Sequence, residues 1–296
     1  MKLAKSLWKS KGAYLFIAPL FIGLIIFSYY PAFSSIYHSF YEWDILGNKR
    51  FIGLDNFKNL FQDPIFLNSI PAMLKLMIPR LIISVVVPLV FAELIVSVKS
   101  QKLQSIYRVI VLLPMVAPAV VNTLLWKYIY DPSEGLAVEL CRLLGIVGQN
   151  VNIDWLGNPE TAIASIIFMG FPWVGGTAVL IYLSGIMNIP GEIKEAAILD
   201  GAGAMRRIFS IDLPMIKGQI RYFIVFGIIG GLQDYNVQVI LTEGGPGYTT
   251  YVPGYYMFKQ AFTSGNMGYA CAIGTLLFLV IAALTLLTFR FIRTSD

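Results

Sequence analysis

The chain has 296 residues, 57% of them hydrophobic and only 13% charged, with a mean hydropathy of +0.70. Soluble domains carry about a quarter charged residues, so water is not its main solvent and a polytopic membrane protein with short loops is indicated. Cys141, Cys271 and the single histidine, His38, give no disulfide framework and argue against a zinc or haem ligand set. The net charge of +5 is dispersed among apolar segments rather than gathered in a basic domain, which argues against nucleic acid as a partner.

Lys2, Lys5, Lys9 and Lys11 precede an apolar run too long for a signal-peptide core and without a small-x-small cleavage site. The run is read as an uncleaved first span over 13–37, because about 20 apolar residues cross the hydrocarbon core. Tyr29, Tyr30, Tyr37, Tyr41 and Trp43 mark its exit as an aromatic belt. A mixed loop over 38–69 follows, with Asp55 as N-cap and Asp63-Pro64 as a helix stop. Further spans are predicted over 70–97, 105–130, 161–187, 216–241 and 268–292, with a polar, net acidic loop at 131–160. The fold class is therefore all-α, a single transmembrane domain of six helices over 1–296.

Six spans put both termini on one side. Placing them in the cytoplasm leaves fourteen Lys and Arg in inner segments and five outside (Lys49, Arg50, Lys58, Arg142 and Lys259). That asymmetry orients the chain by the positive-inside rule. It also makes the stretch Gly191–Pro214 cytoplasmic. In this stretch charged residues, among them Arg206, Arg207 and Asp212, are interleaved with small ones. The bland reading of such a stretch is a solvated loop. There is no P-loop, no HExxH, no GxSxG and no Cys/His pair placed for nucleophilic catalysis, so an enzyme is poorly supported.

Within that stretch Glu195-Ala196-Ala197 is followed after three positions by Gly201, and after nine more by Ile211-Asp-Leu-Pro214. The pattern resembles the EAA loop of membrane permease subunits of ABC importers. Gly53-Leu-Asp-Asn-Phe57, Asp63-Pro64, Leu113-Pro114 with Pro118 and Trp126, Leu241–Pro246 and Gly268-Tyr-Ala270 are similar, in order and spacing, to carbohydrate-type permeases. They match the shorter member of the maltose- or glycerol-phosphate-type pair.

The resemblance implies a coupling helix between spans 4 and 5 in a bacterial cytoplasmic membrane. Ala196, Ala197 and Ala202 would permit close approach of an ATPase, and Glu195 and Asp200 would bond to it. Gly201 would allow the bend, Pro214 would end the segment, and movement would pass through Glu195–Phe209, which includes Arg206. It further implies a heterodimer with a second permease, two ATPase subunits that bind the ATP and magnesium, and an extracellular solute-binding protein. No cofactor is expected on this chain, and the saccharide would cross by alternating access. The alternatives are an ABC permease for phosphate esters, amino acids or peptides, and an ion-driven secondary transporter. The last predicts inverted repeats and broken helices carrying carboxylates.

Polar groups within spans are by default functional. In the fifth span Gln233, Asp234, Asn236 and Gln238 share one side of a helix by their spacing, with Tyr235 and Trp173 as aromatic faces for a sugar. Helix–helix hydrogen bonding is the competing reading. Asn122, Trp126 and Tyr130 form a stripe in the third span that serves either a sugar or the interfacial belt. Lys75, Arg80 and Lys127 are anomalous cations within spans, and the first two stand where the carbohydrate pattern is neutral, near the start of the second span. They are read either as snorkelling cations or as an anion-attracting outer cavity for an acidic sugar.

Overall fold

The computed structural model describes residues 11–292. The expectations placed on Lys2, Lys5, Lys9 and Arg293 lie outside the described residues. The described chain is mostly helical, with one two-stranded hairpin. Its contacts divide it into two compact units, one drawn from Met1–Asp63 and Met257–Leu276, the other from Pro64–Tyr256 and Leu277–Asp296.

In the first unit, α1 (Lys11–Leu24), a π-helical turn (Ile25–Tyr29) and α2 (Tyr30–His38) run together. They form an apolar helix over Tyr14–His38, none of it buried within this chain. The predicted mixed loop contains a hairpin of β1 (Tyr41–Trp43) and β2 (Lys49–Phe51), closed by hydrogen bonds from Asn48 to the Asp44 carboxylate. Asp55 is not the N-cap of α3 (Asp55–Leu60). Leu54 holds that position, while Asp55 pairs with Lys58 at 2.9 Å. The buried Asn56 carboxamide donates to the carbonyls of Ser39 and Tyr41, both at 2.9 Å, and the Tyr269 hydroxyl donates to Asp63 at 2.8 Å. The separate motifs around Gly53–Phe57, Asp63 and Gly268–Ala270 thus meet in one place.

The second unit begins with α4 (Pro64–Ser97), so Asp63-Pro64 starts this helix rather than only stopping α3. Proline suits a first turn, where its missing N–H has no partner to lose. The third predicted span is bent by 84° between α5 (Gln101–Leu112) with its 3₁₀ turn (Leu113–Val116) and α6 (Ala119–Ile129). Pro114 and Pro118 lie at the bend, where each removes a backbone donor. A short α7 (Leu136–Leu143) lies in the predicted polar loop. The fourth predicted span is two helices, α8 (Ala162–Phe168) and α9 (Gly176–Met187). The Phe171–Pro172 segment and Trp173, whose φ is 55°, interrupt them.

The stretch Gly191–Pro214 forms α10 (Gly191–Leu199), α11 (Ala204–Arg207), a π turn (Ile208–Asp212) and α12 (Leu213–Met215). A 71° bend leads into α13 (Lys217–Gln233), followed by α14 (Asn236–Leu241), α15 (Pro253–Phe262) and α16 (Met267–Phe291). Among the described residues three helices are long and apolar enough to cross a membrane, and five spans result if each bent pair counts as one.

The core of this unit joins Ala92 and Ile95 of α4, Val111 of α5 and Ile216 to Val179, Tyr182, Leu183 and Ile186 of α9. The α9 positions recur three and four apart, as one buried helical face requires. Helix α13 packs on α4 through Gly227 and Gly231, where an added Cβ would collide with Leu81 and Met77. Without a hydrophobic drive between helices in lipid, such small-residue rows let backbones approach closely.

Candidate functional site

Helix α13 ends because Asp234 leaves the helical region (φ −69°, ψ 124°) and Tyr235 takes φ −141°, ψ −10° before α14 restarts. The expected single helical face through Gln233–Gln238 is therefore not formed, since a four-residue repeat needs an unbroken helix. The contact at the break is tertiary: Arg80 of α4 donates from Nη1 to Asp234 Oδ2 at 2.7 Å. Both side chains are partly exposed, to a cavity of about 730 Å³. Its polar lining is Arg80, Ser84, Thr123, Gln233, Asp234, Asn236 and Gln238, set among Met73, Met77 and the α13 glycines. That volume falls within the usual range of ligand sites. Gln238 is 1% exposed and its Oε1 has no hydrogen-bond partner.

A second cavity of about 430 Å³ follows along α6 and α14, lined by Lys127, Tyr130, Asp131, Asp154, Thr242 and Glu243 among others. Lys127 donates to the Ile240 carbonyl at 2.9 Å. The backbone N–H groups of Glu134 and Ser133, with the Ser133 hydroxyl, hold the Asp131 carboxyl below its usual range. Three carboxylates against one ammonium make this space net acidic.

In the stretch Gly191–Pro214, α10 ends in a turn that satisfies its last carbonyls. Gly201 N–H donates to Ile198 O at 3.0 Å and Ala202 N–H to Ala197 O at 2.9 Å, with Gly201 at φ 71°. This is the two-bond Schellman arrangement, whose pivot favours glycine because a left-handed backbone disfavours a Cβ. Glu195, Ala196, Asp200, Arg206 and Pro214 are exposed, and so are the apolar Ile198 (69%), Leu199 (87%), Met205 (68%) and Phe209 (64%). Ala202 is half-buried, whereas Ala197 is buried in the chain's own packing and offers no surface for a partner to approach.

Residues 65–296 match the family described as binding-protein-dependent transport system inner membrane component. The chain belongs to that family. A probable ABC transporter permease protein, YurN of Bacillus subtilis, is 33% identical, with 95% of this chain and 96% of that one covered. The diacetylchitobiose uptake system permease protein NgcF of Streptomyces coelicolor is 31% identical over 90% of this chain and 78% of its own. The fold is shared with a chain of a bacterial ABC transporter involved in the import of the acidic polysaccharide alginate. The TM-score there is 0.86 at 24% identity, and 99% of each chain is covered. The protein is thus an integral membrane permease, a transport component rather than an enzyme.

The permease does not assemble all the residues singled out from its sequence. Arg80, Gln233, Asp234, Asn236 and Gln238 line one cavity. Tyr235 is half-buried and not part of that lining. Trp173 packs edge-on against Phe168 and Phe171, and Trp126 packs against Phe168 and Tyr130, so both belong to one aromatic cluster, and neither lines that cavity. Asn122 is exposed, while its neighbour Thr123 enters the cavity wall. Arg80 is neutralised by Asp234, Lys127 sits among carboxylates, and Lys75 is exposed and lines neither cavity. The three cations do not line a common cavity.

Sequence reasoning missed Glu93, a carboxylate 7% exposed on α4. A lone acid inside an apolar run was its signal. Ser84 and Thr123 were also missed, because hydroxyls within spans commonly bond their own helix, as both do here.

Proposed function

We propose that this chain is the transmembrane permease subunit of an ATP-driven ABC importer that moves a neutral saccharide by alternating access. A solute-binding protein outside the cell delivers the sugar, a second permease completes the pathway, and two ATPase subunits supply the energy. The chain crosses the membrane six times with both termini in the cytoplasm, and α5 with α6, α8 with α9, and α13 with α14 each count as one span. The unburied Tyr14–His38 helix faces lipid or the second permease.

The observation that carries this reading is the pairing, in one unit, of a docking segment with a polar cavity at the helix break. The docking segment exposes Ile198, Leu199, Met205 and Phe209 beside Glu195 and Asp200, a surface suited to an ATPase groove. The cavity offers carboxamides and one neutralised ion pair, which suit hydroxyl groups better than a net anion. Relatives named for diacetylchitobiose and arabinooligosaccharides support the saccharide class. The ion pair also counts against an ion-driven transporter, because the carboxylate at the break is already occupied by Arg80.

Affinity purification of the tagged chain from its native membrane tests the assembly. Two ATPase subunits and a second permease are expected to follow it. Gly201→Asp removes the ATPases and keeps the permease partner. Finding no ATPase with the unaltered chain overturns the reading. Uptake of neutral against uronide oligosaccharides tests the substrate class, and uptake of uronides alone that is lost in Arg80→Ala overturns neutrality.

A further inference from the structure

Away from the cavity, two buried carboxylates on different elements share one guanidinium. Glu93 lies on α4 and is 7% exposed, and Asp212 closes the π turn after α11 and is 0% exposed. Arg207, the last residue of α11, donates from Nε to Asp212 Oδ2 at 3.0 Å. Its Nη2 stands 3.5 Å from Glu93 Oε2. That separation is beyond a normal N–H···O bond, and both Glu93 oxygens and Asp212 Oδ1 lack a hydrogen-bond partner. Lys194 of α10 gives a second positive charge that acts on Glu93, while its ammonium donates to the Ile186 carbonyl at 2.9 Å.

A buried ion pair without complete hydrogen bonding is a poor device for static stability, because desolvation offsets the attraction. Its placement is informative. Glu93 and Arg80 lie thirteen residues apart on α4, about 20 Å at 1.5 Å per residue. Glu93 faces the segment that enters α13, and Arg80 holds the residue that leaves it. Beside the Arg80 pair, Gly227 and Gly231 bring α13 against α4 at Leu81 and Met77.

We infer that α4 and α13 move as one clamped pair, with Glu93, Arg207 and Asp212 as the joint that passes motion of the docking segment to the cavity. This rests on the importer reading above. It adds Glu93 and Arg207 as positioning residues that touch neither ATP nor sugar, and it gives α4 a share in transmission besides the fifth span.

The test uses the complex with its ATPase subunits in proteoliposomes, carrying Ser84→Cys in a Cys141→Ser/Cys271→Ser background. Ser84 is exposed and lines the cavity, so a membrane-impermeant maleimide reads its accessibility with and without ATP and vanadate. The parent is expected to change its labelling rate several-fold with nucleotide. Glu93→Gln and Arg207→Gln cut that response at least fivefold while ATP hydrolysis stays within twofold. The exchange Glu93→Arg with Arg207→Glu restores part of it.

An unchanged response in Glu93→Gln, with ATPases bound and active, overturns the inference and leaves the importer reading intact. Absence of any ATPase from the parent complex overturns both. Should Glu93→Gln fail to assemble, recovery of assembly and response by the exchanged pair supports the joint, and failure of the exchange overturns it.

Discussion

Arg80 and Asp234 show how a charge inside an apolar segment is made tolerable. Each is expensive alone in a membrane setting, and together they present hydrogen-bonding capacity without net charge. Asp234→Asn leaves the guanidinium uncompensated and is expected to lower saccharide uptake more than tenfold. The double change Arg80→Ala/Asp234→Ala is expected to be better folded than Asp234→Asn, by detergent thermal melting, because it leaves no orphan charge. Gln238 makes a second residue-scale case. Its buried, unpartnered Oε1 carries a desolvation cost of about 1–3 kcal/mol. Gln238→Leu should therefore raise thermal stability while reducing uptake, and a variant that loses stability and keeps uptake would refute a substrate role.

Elements end where a specific residue permits or compels it. The α10 terminus depends on Gly201, and a Cβ there meets no atom within 4 Å, so the penalty of substitution is conformational rather than steric. Gly201→Ala is expected to cost about 1 kcal/mol from the left-handed backbone and to weaken retention of ATPase subunits on purification, with Gly201→Asn milder than Ala. In α13, Arg221 donates to the Ile292 carbonyl at 3.2 Å and lies 4.9 Å over the Phe289 ring, tying this helix to the end of α16. Arg221→Pro removes a helical donor as well, a loss of about 3 kcal/mol, and is expected to uncouple ATP hydrolysis from transport. Arg221→Ala, which keeps the helix, is expected to retain most coupling. Equal effects of the two would place the cause in the side chain.

For the whole molecule the orientation is the quantity to measure. Asn150 and Ala204 are both exposed and sit on segments between spans that are predicted to lie on opposite sides. In a Cys141→Ser/Cys271→Ser background, Asn150→Cys should react with an impermeant maleimide in intact cells, and Ala204→Cys only after permeabilisation. Labelling of both from outside would overturn the six-span arrangement with cytoplasmic termini.

The membrane class, the helical fold and the family followed from composition, the length of apolar runs and the EAA spacing. These are local or summed properties, and no partner in space is needed to read them. Gly201 was legible for the same reason: its role is set by backbone geometry within one turn. The cavity polar set was partly legible, since amides inside an apolar run stand out whatever they touch. What tertiary structure decided was pairing. Asp234 reads alike whether it lies on a helical face or at a break, until Arg80, 154 positions away, reaches it. Trp173 and Trp126 carry the same apolar area whether they pack on Phe168 or on a sugar ring. Glu93 was invisible as a partner because Arg207 and Asp212 lie more than a hundred residues along the chain, and a charge's worth depends on what stands within a few ångströms of it.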